Sequence, residues 1–462
     1  MTHLFGVLST ATSALLTQQR AINVTGNNSA NVNTPGYSRQ RLNLETGMPT
    51  QTGLGMMSYG VTSTDVERVY DRFLGVQLNN ENANLGRWEA QKGMLDRVEV
   101  VFDESGGYGL NQALSDFWNS WQDLSLKPEG QTERAVVAAT SQGLADAIRQ
   151  KYGELEQVQK DIDIAVRDGV ETVNRLAAQI ADLNQKIART EIGGTNANDY
   201  RDRRDLILKQ LSEMIDITSF EDATGQAVVS VGAGRPLVES GNTWQLSAQT
   251  NADGHTDIFW PDVDGGLVSL SGEIRGGRIG GWLQTRDAKI AGYQSDLDAL
   301  AQGLMGEVNT LHAAGYGLDG TTDTDLFTGS GAADMQINPA VLADLNLIAA
   351  SAPPGAYGNA DQAIAINALR TGLTMNGSTS TFDAAANALV SQIGYDVQTA
   401  KANSSHQAEM MTYLENYRES VSGVSLDEEM VNLVKFEAAY NAAAKMVSMA
   451  DEMLDSLMNM VR

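Results

Sequence analysis

SLDEEMVNLVKFEAAYNAAAKMVSMADEMLDSLMNMV, residues 425–461, decides how the rest of the chain is read. Ser425 followed three residues later by Glu428 has the pattern of a capping box. Asp427, Glu428 and Glu429 suit the positive end of a helix dipole. Leu433, Phe436, Tyr440, Ala443, Val447, Ala450, Leu454, Leu457 and Val461 then follow at spacings of three and four without a break. Met430, Ala444, Met446, Met453 and Met458 widen the stripe. The spacing predicts one long amphipathic helix. Such a helix is marginal in water unless its apolar face is packed, so this segment needs a partner.

The other end of the chain offers one. Leu4, Leu8, Ala11, Leu15 and Ile22 recur at helical spacing, with Gln18 the single gap. The predicted helix runs into an Asn-rich loop, Gly26 to Gly36. In this loop Pro35 and Gly36 fit the central positions of a type II turn, because proline pre-sets φ and glycine supplies a positive φ. Leu42 and Leu44 alternate with polar residues and predict a short strand or extended arm. Pairing the two end helices brings the termini together. A stripe of this period also offers seams to neighbouring copies, as in coiled coils.

Between the ends the period is mostly helical. Leu110, Leu114, Phe117, Trp121 and Leu124 make one stripe, and Val173, Leu176, Ile180, Leu183 and Ile187 another. Gly193-Gly194 reads as a helix stop, and a further helix is expected from about Asp199 to Ile215. From Asp216 to Arg278 the texture changes to short apolar runs between Gly/Asp/Asn clusters: Val228–Val231, Pro236–Val238, Trp244–Leu246, Ile258–Trp260 and Leu267–Leu270. This reads as a small antiparallel β domain. Helix resumes at Ile279. A last body helix is expected from about Thr381 to Tyr417, with Ala386, Leu389, Ile393, Ala400, Met410 and Leu414 on one side. The β domain is expected at the far end of an elongated molecule whose termini lie together.

Bulk properties narrow the function. The chain has 462 residues, too many for one small core. Its 58 acidic against 32 basic residues give a net charge of -26, which repels nucleic acid and anionic membranes. The acid is absent from Met1 to Leu44, where Arg20, Arg39 and Arg41 are the charged residues. There is no cysteine, which excludes disulfides, zinc–thiolate sites and cysteine nucleophiles. No apolar run reaches the roughly 18 residues of a membrane span. The start of the chain lacks the pattern of a cleaved signal peptide, so export is expected to read an uncleaved N-terminus.

Catalytic patterns are poor. His3, His255, His312 and His406 are scattered without a metal-ligand partner at helical spacing. Gly232-Ala233-Gly234 follows a strand, but Leu237 stands where a dinucleotide loop needs its third glycine. Asn251–Asp253 and Asp262–Asp264 suggest calcium loops, but no Glu closes either. Arg201, Arg203 and Arg204, interleaved with Asp199, Asp202 and Asp205, read as a solvated salt-bridge face.

Two segments carry a resemblance. Asn27 to Gln40, containing Thr34-Pro35-Gly36-Tyr37-Ser38-Arg39, is similar to the N-terminal signature of flagellar rod, hook and hook-associated proteins. Ser420 to Glu429, followed by Phe436, Tyr440 and the long stripe, resembles the C-terminus of the bacterial flagellar hook-associated protein 1 family. The resemblance implies an α+β, mainly α fold. It would be elongated and multi-domain, with paired N- and C-terminal coiled-coil helices, a long helical bundle and an inserted small antiparallel β domain. Residues 1–65 and 420–462 would form the terminal assembly domain, 66–215 and 279–419 the bundle, and 216–278 the insert. Some members carry a further β domain, for which Gly315 to Asn338 is too short here.

In function, the resemblance implies a structural, non-enzymatic subunit without a cofactor or metal. It would be exported by the flagellar type III pathway and secreted to the hook–filament junction. Its partners would be itself, as a ring of copies, hook protein, a second junction protein (hook-associated protein 3) and an export chaperone on the C-terminal helix, with no nucleic acid and no membrane. Assembly and export would fall to Leu4, Leu8, Leu15, Ile22, Asn28, Asn31, Asn33, Thr34, Pro35, Gly36, Tyr37 and Arg39. Assembly and chaperone binding would fall to Leu433, Phe436, Tyr440, Val447, Leu454, Leu457 and Val461. The competing expectations are another flagellar axial subunit, an exported enzyme and a surface adhesin.

Overall fold

The structure is a computed structural model that describes residues 2–52, 55–58, 60–103, 109–262 and 264–460. Val461 lies outside these residues, as does the side chain of Leu4. The chain opens with helix α1, Thr2–Ala30. An antiparallel ribbon follows, in which β1 (Gln40–Thr46) pairs with β4 (Val61–Arg68) and β2 (Pro49–Thr52) with β3 (Gly55–Ser58). Asp71 caps α2 (Arg72–Val101) by accepting the amides of Phe73 and Leu74. Then come α3 (Leu110–Leu126), α4 (Gln131–Glu191) and α5 (Asn198–Met214). At 61 residues, α4 is about 90 Å long and forms the spine of the molecule.

The predicted β region contains two small sheets. β5 (Ile217–Glu221), β6 (Ala227–Val231), β7 (Arg235–Glu239) and β8 (Asn242–Thr243) form a meander in sequence order. β10 (Thr256–Pro261) lies between β9 (Ser247–Thr250) and β11 (Leu267–Ser269). The expected run Trp244–Leu246 is not a strand. The Asn174 side chain occupies the Leu246 backbone instead, donating to its carbonyl and accepting its amide, both at 2.8 Å. That reciprocal pair replaces a sheet neighbour.

These sheets are not at the far end. They flank the second half of α4: Asp163 accepts the Thr256 amide, and Asn184 brackets Ala227. α5 fixes this placement. It turns back at the Glu191 end of α4, and β5 returns along it until Arg72 reaches the Glu221 carbonyl. The far end is instead built from α3, the start of α4, the end of α7 (Ala291–Ala314), the start of α10 (Phe382–Ser422), and α8 (Pro339–Ala343) and α9 (Asp361–Ala368). There Phe117 packs on Trp118 and Phe327, and Trp118 on Phe382. Between Gly315 and Asn338 lies one two-stranded ribbon, β12 (Phe327–Thr328) with β13 (Gln336–Ile337).

α6 (Gly277–Gln284) passes through a π-helical turn, Thr285–Ile290, into α7. Gly281 lets α6 approach α2, since a Cβ there would lie 2.4 Å from the Arg87 carbonyl oxygen. On α10 it is Met411 that is buried, with Met410 exposed beside it, so the face is displaced by one residue from the expected one. The last helix is α11, Leu426–Met460.

One continuous apolar core runs from Leu95 through the bundle and both sheets to Ala400. A small satellite of Leu74, Leu78, Met411 and Leu414 joins α2 to α10. Among the described residues, none from α1 or α11 belongs to either.

At the far end His312 is fully buried. Its Nδ1–H donates to the Thr324 carbonyl, and its Nε2 accepts the Ala349 amide. Burial pushes its pKa down to about 4, with the neighbouring Arg134 charge acting in the same direction. Unfolded histidine titrates near 6.5, so protons bind the unfolded chain first, and stability falls as pH drops from about 6.5 to about 4. The expected contribution is about 3 kcal/mol, lost over that interval and constant below it. Urea denaturation of the parent and His312→Gln at pH 7 and pH 4.5 checks this. The parent should lose about 2.4 kcal/mol more than the variant over this step, whatever the variant's absolute stability.

Candidate assembly site

α1 and α11 pack antiparallel, with the start of α11 beside the end of α1. The seam is made of small residues. Ala11, Ala21 and Thr25 are buried on α1, and Ala443 and Ala450 on α11; Thr17 is buried against the ribbon, its hydroxyl donating to the Val61 carbonyl. Small side chains allow the backbones to approach but bury little apolar area. The larger members of both stripes are only partly covered. Leu8, Leu15 and Ile22 are half-buried, as are Phe436, Tyr440, Val447 and Leu454. Leu433 and Leu457 remain 38% and 42% exposed. Phe5, Val7, Leu16, Val431 and Val434 face outward.

The Asn-rich stretch is more ordered than a loop. Helix α1 continues through Gly26 to Ala30, with the Asn28 side chain engaged outside the helix and Ser29 bonding back one turn without breaking it. Asn28 is buried and pairs with Gln40 as a strand would, donating to its carbonyl at 2.8 Å and accepting its amide at 2.9 Å. Ser29 bonds back to the Thr25 carbonyl. Asn31 donates to Asn27 and accepts from the Thr34 hydroxyl. The expected turn is present: the Tyr37 amide donates to Thr34 at 3.1 Å, and Gly36 has φ +79°. A side chain at Gly36 would press on Leu206. Asn33, Thr34 and Pro35 are exposed. The Tyr37 hydroxyl donates to Asn28 at 2.9 Å. Burial, with the nearby carboxylates of Asp199, Asp202 and Glu429, pushes its pKa up and keeps it a donor.

Arg39 ties this turn to the other terminus. Its amide donates to the Ser422 carbonyl at 2.8 Å, and its guanidinium pairs with Glu428 at 2.6 Å and Glu429 at 2.7 Å. Glu428 therefore supplies only half of the expected capping box: its amide meets the Ser425 hydroxyl, but its carboxylate is spent on Arg39. Glu429 is almost fully buried.

The Arg/Asp run on α5 is the part that sequence reasoning misplaced. Asp199 and Arg203 are exposed as a solvated face requires, but Asp202 and Arg204 are buried and Arg201 and Asp205 half-buried. Asp202 is buried and accepts the Ser38 amide at 2.9 Å, and Asp199 holds the Gln40 side chain. Burial raises the Asp202 pKa, while the Ser38 amide and Arg68 counter it. Arg68 bridges Asp202 and Asp205, and Arg201 joins Glu191 to Glu221. Arg204 is 1% exposed and reaches Glu221 and the Gly225 carbonyl. A cleft of about 610 Å³ opens between the ribbon, α2, α5 and β5. The buried and half-buried charges among its lining, Arg68, Arg201, Asp202, Arg204, Asp205 and Glu221, are paired within the chain, so it presents a structural joint rather than an acid–base couple. Among the described residues no cluster of His, Asp or Glu is placed to hold a metal ion.

Three family models match the chain. "Flagellar hook-associated protein FlgK helical domain" covers residues 95–327, "Flagellar basal body rod FlgEFG protein C-terminal" 416–460 and "Flagella basal body rod protein" 8–37. The flagellar hook-associated protein 1 of Bacillus subtilis (strain 168) is 32% identical, with 99% of each chain covered. That of Escherichia coli (strain K12) is 24% identical, over 98% of this chain and 99% of the relative. The solved structure of the flagellar hook junction protein FlgK from Burkholderia pseudomallei superposes with a TM-score of 0.68 at 15% identity, covering 75% of this chain and 100% of that one, and so shares the fold. With one relative 32% identical along nearly its whole length and the helical-domain model spanning its bundle, the chain belongs to the flagellar hook-associated protein 1 family, the structural subunits of the bacterial flagellum at the hook–filament junction.

Proposed function

We propose that α1 and α11 are the assembly surface of the chain, and that copies close into a ring between hook and filament by covering the apolar residues the pair leaves outside. The observation that carries this is the mismatch at the termini: the seam buries alanines and Thr25, while Phe5, Leu16, Val431 and Val434 stay in water. Exposed apolar surface of this kind marks an interaction site. In this reading residues 1–65 and 420–462 are the assembly domain, 66–215 and 279–419 the rigid bundle, and 216–278 the insert carried on its side. Hook protein lies on one side of the ring and a second junction protein, hook-associated protein 3, on the other. A cytoplasmic export chaperone covers α11 beforehand, because a stripe containing Phe436, Tyr440, Val447, Leu454 and Leu457 invites aggregation. The ends order fully only among neighbouring subunits.

Deleting residues 426–462 in cells is expected to give hooks without filaments, with flagellin shed into the medium. Electron microscopy of the cells and immunoblots of the medium read this directly, and normal filaments on such cells contradict the junction role.

The Arg39 clamp generates a second prediction. Removing one member of a mostly buried ion pair leaves its partner uncompensated, so Arg39→Ala is expected to loosen the start of α11 by about 1–3 kcal/mol. Trypsin cleavage after Lys435 in the native chain should then run about tenfold faster, as a change of 1.4 kcal/mol gives. Adding Glu429→Gln should recover part of the loss, because the neutral amide needs no cation. Unchanged cleavage of the single variant contradicts the clamp.

A further inference from the structure

Methionine is unevenly placed. Ten of the 17 methionines fall within residues 1–65 and 420–462, less than a quarter of the chain. The division by exposure is sharper. In the body Met305, Met335, Met375 and Met411 are at most 7% exposed and packed in a core, Met94 and Met214 are half-buried against it, and Met410 alone shows a large surface among the described residues there. On α11, Met449, Met453, Met458 and Met460 are 53–77% exposed. At 100° per residue, Met446, Met449, Met453, Leu457 and Met460 lie within about 80° of arc, beside the Ala443–Ala450 seam. Four of these five are methionines, so the row is mainly a thioether surface; Met430 and Met458, also exposed on α11, lie off it.

Thioethers suit such a face, since an unbranched polarizable side chain can fill gaps against differently shaped neighbours. They also carry a liability that leucine lacks, because an exposed methionine is open to oxidation. We propose that the methionine row of α11 is an oxidation site that sets whether the free subunit can assemble. The reagent class is a hydroperoxide. It transfers one oxygen to the thioether sulfur: the S–O bond forms as the peroxide O–O bond breaks, the sulfur gives up two electrons, and hydrogen peroxide leaves as water. The product sulfoxide places a strong acceptor on a face that must be dry against its neighbour. Assembled copies shield the row, so the chemistry acts before incorporation, on the exposed single chain. This rests on the reading of α11 as assembly surface.

The test treats the purified full-length chain with limited hydrogen peroxide and follows each methionine by peptide mass spectrometry. It then measures binding to isolated hooks that lack the subunit. Met449, Met453 and Met460 should oxidise at least about tenfold faster than Met305, Met335 and Met375, and the oxidised chain should bind hooks at least about tenfold more weakly. Methionine sulfoxide reductases of both epimer specificities should restore binding. A chain with the three exposed row methionines changed to leucine (M449L, M453L, M460L) should bind equally before and after peroxide. Equal oxidation rates in the two groups, or undiminished hook binding by a chain carrying these three sulfoxides, overturn the proposal alone. Failure of the untreated chain to bind hooks overturns the assembly reading and this proposal with it.

Discussion

The two end helices hold each other through small residues, and everything distinctive about the chain depends on that thin seam. Fully burying a leucine contributes about 1.5–3 kcal/mol, whereas a single methyl or methylene contributes about 0.8. The bundle is built from the first kind of contact: Leu114, Phe117, Trp121, Ile162, Val166, Ile180 and Leu304 are fully buried in one core. The α1–α11 seam is built from the second, with Ala11, Ala21, Ala443 and Ala450 as its buried apolar members. A helix pair stabilised so lightly can remain folded when its outer faces find neighbours and give way when they do not. That is a useful property in a subunit that must pass through an export channel and then become part of a tube.

The seam is registered by polar groups rather than by apolar fit. Asn28 fixes the entry of the ribbon, Asp202 and Asp199 fix the turn against α5, and Arg39 fixes the start of α11. Together they connect the first 40 residues, the middle of the chain and the last helix at one joint. The rigid spine α4 ends at that joint through Glu191 and Arg201. Displacement of the terminal helices is therefore felt first by charged groups that are already paired, and the apolar core is left intact.

Much of this was legible in the sequence where the signal is periodic. The heptad-like stripe from Leu433 to Leu457 and the turn Thr34-Pro35-Gly36 describe their own local structure, and the structure places a helix and a positive-φ glycine there. What was hidden depended on pairs distant in sequence. Asp202 looks like surface charge until Ser38 is brought to it from 164 residues away, and Asp199, although exposed, holds Gln40 in the same way. Trp244–Leu246 has the composition of a strand, but a helix asparagine takes its backbone. The direction of α5 decides that the sheets lie beside α4 and not beyond it, and no local pattern encodes that direction. The burial of Met411 in place of Met410 differs by one residue on a helix, within the reach of any single-sequence reading.

Hydrogen exchange followed by mass spectrometry, on the free chain and on hooks carrying it, tests the central claim most directly. In the free chain, peptides from residues 5–28 and 429–457 should exchange at least about a hundredfold faster than the α4 peptides from residues 155–187, and should become protected on the hook. End helices protected in the free chain as strongly as α4, with no further protection on the hook, would contradict the account.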